Sequence, residues 1–319
     1  MAGRVLLEAC KFLTVSELLT AVALVSTFWK KAVYSDEVLL SLLENYAEDE
    51  AHLSLPLHRR LKKACKTVQL LHISNQQMTV WSLTLKSTSP VTFHNSAFVN
   101  SSRYVLISKW KAMVTGGVGQ STSCLQVYLR TGEVAPLQNL LREHAWHGIS
   151  VCRGVVYISG GDLSRHYASY AEKYEQGRWT EIANMTMQRY NHTLCAYSGQ
   201  IYAFGGSNTE GYLDSIEYFN GSLWTTARMK LPFAQNYSSV LPVEGGMLLV
   251  GGFRSSSSER NIHFWKETTQ QWRKICDIET DYSLSNAIAR RHGVLYIFNH
   301  SPSRDSWPVA LTNSALIVE

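Results

Sequence analysis

Metal binding, acyl transfer and phosphate handling each leave a mark in a sequence, and this 319-residue chain shows none of the usual ones. Its six cysteines, at 10, 65, 124, 152, 195 and 276, contain no C-x-x-C pairing of metal-site spacing. There is no G-x-S-x-G nucleophile elbow and no phosphate-binding loop of G-x-x-x-x-G-K form. Charge is also sparse, at 17% of residues with a formal balance of +5. The only local cluster, His58-Arg59-Arg60-Leu61-Lys62-Lys63, reads as a solvated helix face or linker rather than a nucleic-acid arm. No stretch approaches the roughly 20 apolar residues of a membrane span. Glu8, Lys11 and Glu17 interrupt the first apolar run, so no signal peptide is expected. Six Asn-x-Ser/Thr triplets, at Asn100, Asn184, Asn191, Asn220, Asn236 and Asn299, would matter only in a secreted chain. The expectation is a soluble, non-catalytic, cytoplasmic protein, with the nucleus as the alternative, that uses no cofactor and no metal and binds neither nucleic acid nor membrane.

What the sequence does have is a repeat. Ile201-Tyr202-Ala203-Phe204-Gly205-Gly206 is four apolar or aromatic residues ending in a glycine pair, and close copies end at Gly116-Gly117, Gly160-Gly161 and Gly251-Gly252. The steps between first glycines are 44, 45 and 46 residues, a period that points to propeller blades. A continuous apolar run bounded by glycine suits a strand buried on both faces. Glu172-Lys173-Tyr174 then leads to Trp179, Glu217-Tyr218 to Trp224, and Phe264-Trp265 to Trp272. An aromatic strand, a turn and a tryptophan make the outer half of a four-stranded antiparallel sheet, with the tryptophan filling the wedge between sheets. Arg189 followed by Leu194-Cys195-Ala196-Tyr197 supplies an innermost strand, where free thiols such as Cys152 and Cys195 act as small hydrophobes.

Glycine pair, spaced tyrosine and tryptophan, and an arginine ahead of the inner strand together resemble the Kelch repeat. Two fainter copies, Val68 to Ser74 and Val294 to His300, fall 43 residues before and 48 after their neighbours and lack the glycines. Six blades is the count this gives, with Leu311 to Val318 as the last strands; five and seven are the alternatives, because the first blade's inner strand has no evident source.

The first forty-odd residues differ in period. Val5, Leu6, Ala9, Phe12 and Leu13 lie at helical spacing, Thr14 to Glu17 match a capping box, and Ala21, Val22, Val25 and Phe28-Trp29 continue the apolar face. A third short helix runs from Ser35-Asp36 through Leu42. Ser16-Glu17-Leu18-Leu19, Leu24-Val25-Ser26, Phe28-Trp29-Lys30-Lys31 and Ser35-Asp36-Glu37-Val38-Leu39 resemble an F-box, without its usual Leu-Pro opening and with Leu39-Leu40 in place of a late tryptophan. The resemblance implies that Leu6, Leu13, Leu18, Leu19, Val25 and Trp29 pack onto a Skp-type adaptor that bridges to a cullin. The alternative is a helical cap on the propeller. The fold expected is mainly β: a six-bladed Kelch-type β-propeller over 67–319, preceded by a three-helix F-box-like module over 1–44 and a helical linker over 45–66.

In such sheets the loops after the second and fourth strands share one face. That face gathers Trp146, Arg165, Tyr167, Arg189, Tyr190, Tyr237, Arg254 and Tyr282, residue types that dominate binding energy at interfaces. In Kelch proteins this rim is the usual degron-binding face, and Arg189 corresponds to a recurrent arginine there; its other reading is a brace for the loop. Arg165, His166 and Tyr167 with Arg254 and Arg260 favour an acidic or phosphorylated protein segment, and Ser255 to Ser258 reads as a flexible loop tip. Glu210, Asp214 and Tyr218 fill the spacing of an iron-binding run but put tyrosine where histidine is required. The function implied is the substrate-recognition subunit of an SCF-type ubiquitin ligase, the alternative a Kelch scaffold for cytoskeletal or signalling proteins without ubiquitin transfer.

Overall fold

The computed structural model describes residues 68–74, 76–83, 90–99, 101–108, 110–163, 166–243, 245–254, 257–258, 261–277, 288–291, 294–298 and 308–311. The helical module, the linker, all six adaptor residues, Arg165, Arg260 and Tyr282 lie outside the described residues.

Within them the chain is all strand, laid down as successive antiparallel sheets. The first sheet is β1 (Val68–Ser74), β2 (Gln77–Leu83) and β3 (Pro90–His94). The second is β4 (Arg103–Ser108), β5 (Lys111–Thr115), β6 (Cys124–Tyr128) and β7 (Val134–Pro136). The third is β8 (Gly148–Cys152), β9 (Val155–Leu163), β10 (His166–Glu175) and β11 (Arg178–Ile182). Next come β12 (Thr193–Tyr197) and β13 (Gln200–Phe204), a small ribbon of β14 (Ser207–Asn208) and β15 (Gly211–Tyr212), then β16 (Ser215–Phe219) and β17 (Trp224–Lys230). The fourth sheet is β12-β13-β16-β17, with the ribbon standing off it. The fifth repeats that plan with β18 (Ser239–Val243), β19 (Gly246–Val250), β22 (Asn261–Lys266) and β23 (Gln271–Asp277), and a ribbon of β20 (Phe253–Arg254) with β21 (Ser257–Ser258). The sixth is β24 (Ile288–Arg291), β25 (Val294–Phe298) and β26 (Pro308–Leu311).

The first strands of successive sheets are neighbours: β4 beside β8, β8 beside β12, β12 beside β18, and β24 beside both β18 and β1. This is a propeller-like arrangement in which each core is a layer between two sheets. Met113 and Cys124 of the second sheet pack with Val156, Ile158 and Trp179 of the third. Cys152 and Ala171 of the third pack with Ile201, Phe219 and Trp224 of the fourth, and Phe204 and Ile216 of the fourth with Met247, Leu249 and Trp265 of the fifth. The glycine-ended runs are buried on both faces, wholly so in β19. The outer strands expose most side chains and turn a tryptophan inward: Trp179 and Trp224 are buried, and the Trp179 indole N–H donates to the Gln138 carbonyl at 3.1 Å. Burial pushes the Cys124 and Cys195 thiols up to about 12, as expected of structural cysteines.

The glycine pair has one physical reason, seen at Gly160 and Gly161. Both have positive φ, 62° and 114°, and a Cβ on Gly160 would fall on the Arg189 carbonyl oxygen. Gly161 N–H donates to that same carbonyl at 2.8 Å; Gly117 does so to His144 at 2.8 Å and Gly206 to Gln235 at 2.9 Å. At these three pairs a sheet is stitched to the segment that enters the next.

Two expectations need correction. Val68 to Ser74 is not a glycine-ended second strand that has lost its glycines. It is the edge strand β1, beside β24, and β2 takes the second position; an apolar run without punctuation does not say which buried strand it is. This also supplies the first sheet's missing inner strand. Ser257 and Ser258 are not a loose tip, because they pair with Arg254 and Phe253. The last described strand is Pro308–Leu311; the rest of the span expected to hold the last strands, 312–318, lies outside the described residues.

Candidate binding face

The segments entering the third, fourth and fifth sheets follow one pattern. Two residues after His144, Arg189 and Gln235 come Trp146, Asn191 and Tyr237, with φ of 58°, 53° and 54°. Left-handed backbone costs a non-glycine residue about 1–2 kcal/mol, so its recurrence at three equivalent positions needs compensation. Backbone hydrogen bonds supply it: Trp146 N–H donates to Ser101 O at 3.2 Å, Asn191 to Trp146 O at 2.8 Å and Tyr237 to Asn191 O at 3.0 Å. The result is a backbone collar at the mouths of the inner strands, and its side chains meet. Trp146 and Tyr237 touch edge to face at 6.3 Å. Arg103, the first residue of β4, reaches across to donate to His147 O at 3.1 Å and Asn191 Oδ1 at 3.1 Å, with its guanidinium 5.7 Å over Trp146.

Outside the collar, the segments that follow Gly206 and Gly252 bond to the entering segments: Tyr190 bridges Ser207, and Asn236 bridges Phe253. Tyr167 and Tyr190 stack at 4.8 Å and 7°, Tyr212 tilts onto Phe253 at 6.3 Å, and Arg254 lies 5.6 Å over Phe233. Of the rim residues expected from sequence, the structure therefore pairs Trp146 with Tyr237 and Tyr167 with Tyr190, and sets Arg254 against Phe233.

Arg189 is a correction. It is fully buried and donates from Nε to Glu217 Oε1 at 2.9 Å, from Nη1 to Gly205 O at 2.7 Å and Ser215 O at 2.9 Å, and from Nη2 to Ser215 Oγ at 2.8 Å. Desolvation lowers its pKa and Glu217 offsets part of that. With its donors spent inside the fold and no surface exposed, it braces the loop and does not meet a partner.

The histidines near the inner strands are also internal. His144 contacts Gly160 O at 2.8 Å and Glu172 at 3.3 Å, His147 contacts the Thr115 hydroxyl at 2.8 Å and His192 that of Ser159 at 3.0 Å. Burial, first of all, holds His147 and His192 well below the usual imidazole range. Of the run that shares an iron site's spacing, Asp214 pairs with Lys230, and no cluster of metal-ligating side chains occurs among the described residues.

Sequence reasoning missed Arg103 and Asn191; Tyr212, Phe233 and Phe253 fall in loops it placed on this face, 206–214, 233–237 and 252–260. Aligning strand starts would have found the first. Inner strands of the third, fourth and fifth sheets begin with Gly148, Thr193 and Ser239, and the second with an arginine.

Antiparallel sheets of this plan, stitched by glycine pairs around neighbouring inner strands, define a β-propeller-like class. The Kelch motif matches residues 188–227. The chain is 25% identical over 226 residues to spermatocyte protein spe-26 of Caenorhabditis elegans, covering 66% of this chain and 37% of that one. It is 23% identical over 253 residues to Kelch-like protein 36 of Mus musculus, covering 67% and 41%. It spans about two-fifths of the length of these relatives. Among solved structures, that of YjhT superposes with a TM-score of 0.50 at 12% identity, over 61% of this chain and 68% of the other, a likeness of fold. The motif and these relatives support a Kelch-repeat protein.

Proposed function

We propose that the chain is the substrate-recognition subunit of an SCF-type ubiquitin ligase, its F-box-like residues docking a Skp-type adaptor and cullin and its propeller face binding a substrate protein. The observation that carries the partner-binding half is the collar. Aromatic and cationic side chains of successive sheets converge there on a strained backbone held by three main-chain hydrogen bonds, the kind of pre-organised surface that favours tight binding. The Kelch match and the similarity to Kelch-like protein 36 support it. The adaptor half rests on Leu6, Leu13, Leu18, Leu19, Val25 and Trp29, an apolar set at helical spacing. Six sheets in sequence, with β24 beside both β18 and β1, favour a six-bladed ring. In this reading the chain makes and breaks no bonds; it brings a substrate lysine close to the charged ubiquitin carrier in the cytoplasm, or alternatively in the nucleus.

The test is co-purification of the full-length chain and its Leu18→Glu/Trp29→Ala double variant with a Skp-type adaptor and cullin. Capture by the wild type and loss in the variant is the expected result. Capture of neither protein would sink the ligase assignment and leave a Kelch scaffold that binds protein without ubiquitin transfer.

A further inference from the structure

Arg103 differs from the other well-packed arginine, Arg189. It is half-buried, and its Nε and one Nη2 proton go to two neutral oxygens, His147 O and Asn191 Oδ1. Its remaining N–H groups have no acceptor among the described residues. Around it stand Tyr104, Tyr237, His147 and His192, and no carboxylate among the described residues bears on its charge. Burial disfavours that charge, and the two histidines beside it are held neutral, so nothing there compensates it. Arg189, by contrast, has Glu217. A guanidinium kept partly out of water with free fork donors is a receptor for a planar or tetrahedral oxyanion. The neighbouring inner strands start on the uncharged Gly148, Thr193 and Ser239.

We propose that the centre of the collar is an oxyanion pocket, with Arg103 as its base and Trp146 and Tyr237 as its walls, and that it takes one acidic side chain of a partner polypeptide, carboxylate or phosphoryl. This rests on the reading of the face as a polypeptide-binding surface. The aromatic walls exclude water on two sides and strengthen the charge-assisted bonds. They also present apolar area to whatever flanks the acidic residue.

The experiment uses the full-length chain and fluorescent 12-residue peptide libraries with randomised flanks and a fixed central Glu, phosphoserine, Gln or Lys. Wild-type protein is expected to bind the Glu or the phosphoserine library about tenfold or more tighter than the Gln library, and the Lys library weakest. Whichever of the first two binds tighter identifies the anion. Arg103→Gln should erase the preference. Because Arg103 also ties the collar together, a second variant guards against loss of folding. Asn191→Asp keeps the shape and tolerates left-handed backbone, but places a carboxylate on the guanidinium. It should abolish the acidic preference while leaving thermal stability unchanged or raised. Equal binding of Glu and Gln libraries by the wild type, binding of none, or persistence of the preference in Asn191→Asp would each overturn the proposal. Failure of adaptor capture would sink the ligase reading and leave this result standing, so the two are separable.

Discussion

Before the fourth sheet, Arg189 and Glu217 close a joint; before the fifth, the same two positions hold Gln235 and His263. The backbone of the two joints is alike: Gly161 donates to Arg189 O and Gly206 to Gln235 O. The side chains are not. Glu217 accepts from Thr186 N–H at 2.6 Å, Met187 N–H at 3.2 Å and Arg189 Nε at 2.9 Å. The corresponding positions ahead of the fifth sheet are Pro232, which has no N–H to give, and Phe233. The Gln235 amide there is fully buried with neither atom partnered. The joint before the third sheet is of the first kind, with Glu172 accepting from Leu141 and Arg142 N–H at 2.9 and 2.8 Å. The shared glycine–carbonyl contact therefore sets the geometry, and the side chains above it adjust the strength of each joint. A carboxylate is kept where the loop offers donors and is absent where a proline removes one.

The strongest way to break this comparison is to remove one partner of the buried pair. Glu217→Gln, leaving Arg189 uncompensated, should cost about 3–5 kcal/mol. At roughly 2–4 °C per kcal/mol for a domain of this size, thermal denaturation should show a fall of about 6–20 °C. Arg189→Met with Glu217→Leu should recover most of that loss, since the buried charges go together. If the single change left Tm within about 2 °C of wild type, the joint would not depend on the pair.

A smaller effect is expected from pH. His147 and His192 are held neutral in the fold, with folded pKa values below the unfolded 6.5. The unfolded chain therefore takes up more protons as pH falls through 6.5, and stability drops on the acid side, with no contribution from these groups above it. Denaturant midpoints measured from pH 7.5 down to 5 should fall, and His192→Asn should flatten the slope. An unchanged slope would mean that this histidine does not titrate between the two states.

The smallest effect sharpens the contrast. Gln235→Leu removes an amide that has no partner, so it should lie within about 1 kcal/mol of wild type in urea unfolding, on either side of zero. A loss as large as that of Glu217→Gln would show that the two joints are not different in kind.

Much of this was legible in the sequence because glycine pairs and tryptophans occur where backbone crowding and sheet packing demand them. The positions of β5, β9, β13 and β19 follow from the period alone, and the inward tryptophans from their spacing. The first sheet was misread by one strand because it lacks the glycines that mark register. The site was harder. An arginine ahead of an inner strand looks the same whether it faces solvent or a carboxylate 28 residues later, and only the fold turned Glu217 toward Arg189. Arg103 carried no motif; its meaning comes from three other sheets converging on it.

The collar of Ser101, Trp146, Asn191 and Tyr237 is held by main-chain atoms, and four different side chains already occupy its equivalent places. Its frame is thus independent of the letters written on it. Descendants of this chain could exchange those letters, within what a left-handed backbone tolerates, and acquire new tastes while keeping the same mouth.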